Sequence, residues 1–247
     1  MTSRRVFRIT GEDRVEFLQN LVTNDVSLLK HGLVWTAILT PQGKYLADFF
    51  LVPSEDAILL DVAEPLAQGL VQRLAMYKLR ANVAIEPTDI VVACGPGPVP
   101  DGAFADPRDP SLGWRAYDGR PGEQADWDAL RVAAGVPESG IELIPNESFP
   151  LEVGFERLHG VDFRKGCYVG QEVTARMKHK TELRKGLCRV TVEGSAPVGT
   201  EILSEKGKVA GTLYTQAGGE ALAYLRLERA SGKMRAGDAH VMLIEQT

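Results

Sequence analysis

The chain has 247 residues, 44% of them hydrophobic and 25% charged, with a net charge of −5. That length supports one large domain or two modest ones with a buried core, and the acidic balance argues against nucleic-acid binding through bulk charge. No apolar run reaches the roughly 18 residues of a membrane span, and the N-terminal MTSRRVFRIT has no signal-peptide apolar core behind its arginines, so the expectation is a cytoplasmic protein with no membrane partner.

A first helix is expected over Gly11–Val22, capped by Thr10 with Asp13 at the reciprocal position, and with Val15, Leu18 and Val22 on one face. Three strand-like runs follow at Leu33–Leu39, Leu46–Val52 and Ala57–Val62, the first two joined by the turn signal Pro41-Gln42-Gly43-Lys44. A helix over Glu64–Lys78 carries Leu66, Leu70, Leu74 and Tyr77 on one stripe, and short strands are expected near Asn82–Glu86 and Asp89–Ala93. The Pro- and Gly-rich stretch Gly95–Gly113 reads as an irregular connection, Glu123–Ala134 as a helix with Trp127 and Leu130 in the core, and Val136–Phe149 as a loop. Beyond Leu187, short β-rich runs at 187–192, 200–203, 209–214, 221–227 and 241–244 suggest a small antiparallel barrel or sandwich of about sixty residues. The fold class is therefore α+β followed by a small β-domain.

The cysteines Cys94, Cys167 and Cys188 are odd in number and form no C-x-x-C pair, and the four histidines are scattered. This points to free thiols, and no stably bound metal is expected. A functional thiol reacts as its thiolate and needs nearby positive charge or a helix N-terminus. Between Arg164 and Lys185 stand seven Lys or Arg residues against Glu172 and Glu182, a local balance of +5. Gly166 and Gly170 flank Cys167 and permit a tight turn, and a helix can begin at Gln171. Cys94 and Cys188 sit inside apolar β-like runs and read as small buried hydrophobes. Without further information, Cys167 divides about evenly between a reactive thiol and a buried one.

The octapeptide Lys165-Gly166-Cys167-Tyr168-Val169-Gly170-Gln171-Glu172 resembles the signature K-G-C-[FY]-x-G-Q-E of the YgfZ family of folate-binding proteins that support iron–sulfur enzymes, a family also represented in mitochondria. Phe17-Leu18-Gln19 with Thr23-Asn24-Asp25-Val26, Tyr77-Lys78-Leu79-Arg80, Asp106-Pro107-Arg108, Gly113-Trp114-Arg115 and Pro150-Leu151-Glu152 extend the likeness along the chain. The family is similar in fold to the T-protein of glycine cleavage, a tetrahydrofolate-dependent aminomethyltransferase. The resemblance thus implies an aminomethyltransferase-like folate-binding α+β domain over 1–184, a C-terminal β-barrel over 185–247, and tetrahydrofolate or another reduced folate as ligand in a cavity of the first domain. It implies Cys167, Lys165 and Asp48 as the reactive set and Glu152, Tyr168, Gly170, Gln171, Glu172, Asn24 and Arg80 as folate contacts.

Leu151-Glu152-Val153-Gly154 resembles the T-protein L-E-A-G element, whose glutamate contacts the pterin. A carboxylate can accept two hydrogen bonds from the pterin amino and ring N–H groups, although from its sequence alone Glu152 reads as a surface residue. The T-protein has an acidic pair where this chain has Ala47 and Asp48. The lone Asp48 reads equally as a proton-transfer group or an outward-facing strand residue, and the missing partner weakens the aminomethyltransferase alternative. The expected role is an accessory factor for assembly or repair of iron–sulfur clusters, with assembly or client proteins as partners and tRNA-modifying enzymes among the clients. Direct RNA binding is not expected, because Phe163 and Tyr168 are the only aromatics near the basic stretch. That stretch is expected to wall the folate cavity and attract the ligand's anionic tail, against the plainer reading of a solvated face.

Overall fold

The computed structural model describes residues 2–180 and 183–246, the side chain of Lys180 excepted. Its first half is built on a five-stranded antiparallel sheet of β1 (Arg4–Thr10), β2 (Val34–Leu39), β3 (Tyr45–Pro53), β4 (Ile58–Ala63) and β5 (Ala84–Pro87), in the order β2-β3-β4-β1-β5. β2 and β4 are buried at every position and β3 at nearly every one. Both faces of the sheet are covered, which is why these strands read as unbroken apolar runs instead of alternating ones. Successive side chains still point to opposite faces. Val34, Ile38, Phe49, Leu51, Leu60 and Val62 pack toward α1 (Arg14–Gln19) and α2 (Glu64–Lys78). Trp35, Tyr45 and Phe50 face the second core with Val132, Leu143 and Phe155.

On that second side lie a three-stranded sheet of β6 (Ala93–Gly95), β7 (Phe104–Ala105) and β8 (Trp114–Ala116), α3 (Trp127–Ala134) and α4 (Gln171–Lys180). The Asp126 carboxylate caps α3 at Ala129 N, 3.0 Å away. The chain then enters a closed six-stranded antiparallel barrel of β9 (Lys185–Glu193), β10 (Glu201–Leu203), β11 (Val209–Ala217), β12 (Glu220–Arg226), β13 (Met234–Ala236) and β14 (Ala239–Gln246), ordered β10-β11-β12-β9-β14-β13. Closure leaves no free sheet edge. The barrel has its own core of Cys188, Val190, Leu213, Ala223, Met234 and Val241, while Leu187 and Leu222 join the core of the first half. A buried polar seam reinforces the junction: Glu142 Oε1 accepts from Thr215 N at 3.2 Å and from Thr215 Oγ1 at 2.6 Å, and Arg131 Nη2 donates to the same hydroxyl at 3.0 Å.

The expected α+β half and C-terminal β-barrel are both present, but several elements differ from the sequence reading. The first helix is only six residues, Thr10 ends β1 instead of capping it, and Asp13 makes no side-chain cap, its carboxylate accepting from Asn82 N instead. Val15, expected on the buried face, is 49% exposed. Residues 89–92 are not a strand; β6 starts at Ala93. α3 starts at Trp127, and Trp127 is half-buried.

Candidate functional site

The segment 165–170 is an irregular loop between the turn ending near Gly160 and the first turn of α4. Its anchor is Lys165, 7% exposed, whose ammonium donates to Gln19 O at 2.7 Å and Val22 O at 2.5 Å, carbonyls at and just past the end of α1. A cation suits the C-terminal end of a helix. Burial pushes this amine down to about 8, although Asp25 and Asp162 act to raise it. The ammonium also lies 5.2 Å from the centroid of the buried Tyr168 ring, whose phenol burial pushes up to about 12. Asn24 ties the neighbouring chain: its Nδ2 donates to Trp35 O at 2.8 Å and His159 O at 2.6 Å, and its Oδ1 accepts from Asp25 N at 2.9 Å. His159 is held at φ 57, a left-handed conformation that a non-glycine residue adopts at a cost of roughly 1–2 kcal/mol.

Cys167 is exposed, whereas Cys94 and Cys188 are buried and burial raises both thiols, Cys188 to about 12. The structure therefore separates one accessible thiol from two inert ones. The loop runs into α4 through Gly170, at φ +86, where a Cβ would lie 2.6 Å from Thr40 O and 3.1 Å from Gly43 Cα. A Cβ on Gly43, at φ +75, would in turn lie 2.8 Å from Val173 Cβ. The β2–β3 turn and the start of α4 thus meet through two glycines, with no room for side chains. Gln171 Nε2 donates to Gly166 O at 3.4 Å, and Glu172 is exposed in the first turn of α4, where a carboxylate is favoured.

Glu152 sits on a 3-10 turn, Pro150–Val153, that packs against both α4 and β9. Its Oε2 accepts from Tyr224 Oη at 2.5 Å, a contact from the first half to barrel strand β12. Burial raises the Glu152 carboxyl, opposed by the Tyr224 hydrogen bond and by Lys185.

Asp48 faces inward and is 3% exposed. The register places Ala37 opposite Asp48 and aligns Trp35, Phe50 and Asp61 across three strands. Asp48 Oδ1 accepts from Tyr45 Oη at 2.7 Å and Ser139 Oγ at 2.6 Å, and Oδ2 accepts from Trp35 Nε1 at 2.9 Å. The reading as an outward-facing strand residue is therefore corrected, and the carboxylate is engaged by three donors. Beside it, Arg115 Nη1 pairs with Asp61 Oδ2 at 2.9 Å and Arg115 Nε with Asp106 Oδ2 at 3.3 Å. Arg4 also holds Asp61, and Arg108 also holds Asp106. The guanidinium groups of Arg4, Arg108 and Arg115 lie 5.6, 4.9 and 4.0 Å from the Phe50 ring centroid. The cavity that Asp48 lines here holds about 20 Å³, the room of about one water. A neighbouring open cleft of about 570 Å³, lined by Arg4, Arg5, Thr88, Glu123 and Trp127, contains neither Asp48 nor Glu152.

The structure thus brings Lys165, Cys167, Tyr168, Gly170, Gln171 and Glu172 together with Asn24 nearby, sets Glu152 on the turn that α4 covers, and leaves Asp48 in a separate polar cluster. Arg80 is exposed just after α2, and among the described residues no side-chain hydrogen bond or ion pair joins it to either place. The basic stretch is not one continuous wall. Lys165 turns inward to carbonyls, Lys178 pairs with Glu156 at 2.5 Å, and Arg164 Nε lies 3.7 Å from Asp162. Glu182 and the side chain of Lys180 lie outside the described residues. Lys165, expected in the reactive set, has its ammonium engaged as a structural anchor. Sequence reading missed Tyr224 and Gln19, whose roles depend on partners far away along the chain.

Fold and site together define the class: an aminomethyltransferase-like α+β half joined to a C-terminal β-barrel. The chain superposes on aminomethyltransferase T of the glycine cleavage system from Bartonella henselae with a TM-score of 0.74, covering 98% of this chain and 83% of that one at 15% identity, and residues 184–246 match the CAF17 C-terminal beta-barrel domain. In sequence the chain is similar to mitochondrial IBA57 proteins. It is 33% identical over 216 residues to the mitochondrial iron–sulfur cluster assembly factor IBA57 homolog of Mycosarcoma maydis, covering 74% of this chain and 54% of that protein. It is 29% identical to the mitochondrial IBA57 of mouse, covering 98% of this chain and 75% of the relative, and 29% identical to that of Homo sapiens, covering 95% and 78%. The chain therefore spans about half the length of the Mycosarcoma relative. The cytoplasmic expectation is corrected by these relatives, which are named as mitochondrial proteins; the lack of a signal-peptide core, on which the expectation rested, does not distinguish the two compartments.

Proposed function

We propose that this protein is an iron–sulfur cluster assembly factor of the YgfZ and IBA57 type, which offers the Cys167 thiolate to a cluster or to a client and binds a reduced folate through Glu152. The observation that carries the reading is the exposed Cys167 on a loop pinned from below by Lys165, in a chain whose other two cysteines are buried. A four-iron cluster usually takes four protein thiolates. Among the described residues no three His, Cys, Asp or Glu side chains are grouped to hold a metal ion. Cys167 therefore supplies one ligand, and an assembly or client protein, tRNA-modifying enzymes among the clients, supplies the others. For the folate, Glu152 is half-buried with one oxygen engaged, which suits a carboxylate that accepts N–H donors from a pterin. This reading assigns no folate contact to Asp48, whose two oxygens accept from Trp35, Tyr45 and Ser139.

The test is rescue of a four-iron enzyme in a deletion strain. Cys167→Ser keeps the side-chain shape but removes the accessible thiolate, and it fails to rescue, while Cys94→Ser and Cys188→Ser rescue if folded. Full rescue by Cys167→Ser refutes the reading. The aminomethyltransferase alternative is disfavoured because Asp48, the acid that would serve it, is already bound by Trp35, Tyr45 and Ser139. Aminomethyl transfer to tetrahydrofolate by the purified protein would restore that alternative.

A further inference from the structure

Glu152 is held from the barrel. Tyr224, on β12, donates to Glu152 Oε2, and among the described residues no donor reaches Oε1. The hydrogen bond joins residues 72 positions apart and crosses from the first half of the chain to the barrel. The backbone beneath Tyr224 is fixed: Tyr224 pairs with Leu187 on β9 and Thr212 on β11, and a Cβ on Gly211 would lie 2.1 Å from Tyr224 O. The Glu152 turn is likewise closed between α4 and β9. A carboxylate with one oxygen tied and the other free has a defined direction of approach.

We propose that Tyr224 is a positioning residue for folate recognition, holding Glu152 by Oε2 so that Oε1 faces the N–H donors of a 2-amino-4-oxopteridine ring. The proposal rests on the folate reading above and deepens it, because it makes recognition depend on the contact between the two halves of the chain. The charged and titratable groups that act on the pair are Lys185 from β9, Tyr214 from β11 and Arg226 from the end of β12. Recognition by acceptance needs the ionised carboxylate. The Tyr224 hydroxyl opposes the upward push of burial on Glu152, so its removal raises the Glu152 carboxyl further and moves the acid limb of folate binding to higher pH.

The experiment is calorimetric titration of the full chain with (6S)-tetrahydrofolate, kept reduced, from pH 5 to pH 8, for the wild type, Tyr224→Phe and Glu152→Gln. The Phe variant keeps the ring and its packing, and a thermal melt verifies its fold. The expected result is a roughly 5- to 20-fold weaker affinity for Tyr224→Phe, with its acid limb displaced upward by half a pH unit or more. Glu152→Gln should bind weakly with no acid limb. Wild-type binding with an unchanged affinity and limb in Tyr224→Phe overturns this inference and leaves the folate reading standing. A change in affinity without displacement of the limb assigns Tyr224 to packing and also overturns it. No saturable binding by the wild type overturns the folate reading itself and this inference with it.

Discussion

Replacing Lys165 with Met keeps most of the volume of the buried side chain but removes the charge that holds the Cys167 loop. Two charged hydrogen bonds, to Gln19 O and Val22 O, are lost, each worth about 1.5–3 kcal/mol. Against this, the variant no longer carries the desolvation of an ammonium, and the fall of the amine to about 8 shows that burial outweighs the help of Asp25 and Asp162. The net loss at pH 7 is therefore expected to be about 1–3 kcal/mol in denaturant unfolding. Its pH dependence has a definite sign. An amine at about 8 in the folded chain and near 10.5 when unfolded makes the unfolded state bind more protons between those values, so the wild type gains on the variant as pH rises through that window and loses the gain as pH falls through about 8. With partial solvent access allowed for, the gain is on the order of 1–2 kcal/mol. Paired melts of wild type and Lys165→Met at pH 7 and pH 10 measure it, since other titrations cancel in the difference. The loosened loop should also raise the rate at which Cys167 reacts with a thiol reagent and reduce rescue of iron–sulfur activity. A wild-type advantage that shrinks toward pH 10 refutes the downward shift of the buried amine, and a variant as stable and as slow to react as wild type refutes the anchoring role.

The other substitutions probe the platform around that loop. Gly170→Ala should cost about 2–4 kcal/mol, adding the left-handed penalty for a non-glycine residue to a clash of its Cβ with Thr40 O at 2.6 Å; unchanged stability would mean that the β2–β3 turn does not sit on α4 in solution. Asp48→Ala strands the Trp35, Tyr45 and Ser139 donors and should cost about 3–6 kcal/mol by urea unfolding. Asp48→Asn keeps an acceptor and should cost less than half of that while still rescuing iron–sulfur enzymes; loss of rescue in a stable Asp48→Asn protein would return Asp48 to the chemistry.

Much of the fold was legible because the apolar runs 33–39, 46–52 and 57–62 are long and separated by strong turn signals. β1 was not: Arg4, Arg5 and Arg8 break its pattern, and nothing local shows that the half-buried Arg4 pairs with the buried Asp61 on β4. β13 was missed because Met234-Arg235-Ala236, a charge at its centre and Lys233 and Gly237 on either side, offers no apolar run. The side on which Asp48 points was hidden for a related reason. A strand covered on both faces does not alternate, so the sequence cannot say which face an acid occupies. Cys167 stood out because its glycines and basic neighbours are adjacent in sequence, but the target of Lys165 lies more than 140 residues away. The +5 stretch is divided on folding: Lys165 turns to carbonyls, Lys178 to Glu156 and Arg164 toward Asp162, whereas Lys185 lies near Glu152, a separation that a sum along the chain does not show.

Helix α4 relates the two proposed chemistries. Its first turn carries the Cys167 loop and is fixed to the β2–β3 turn through Gly43 and Gly170. Its body covers the 3-10 turn of Glu152, and Lys178 near its end pairs with Glu156 just beyond that turn. The thiol and the carboxylate thus belong to one packed unit, and the unit is tied to the barrel through Tyr224. A folate that binds this unit only when it is formed stabilises it by RT ln(1 + [L]/Kd), about 2.7 kcal/mol at a hundredfold excess over Kd. That is comparable to the contribution expected from the Lys165 anchor. A folate can therefore serve the accessory role by holding the Cys167 platform in shape, without entering a one-carbon reaction, and the engaged state of Asp48 fits that division of labour.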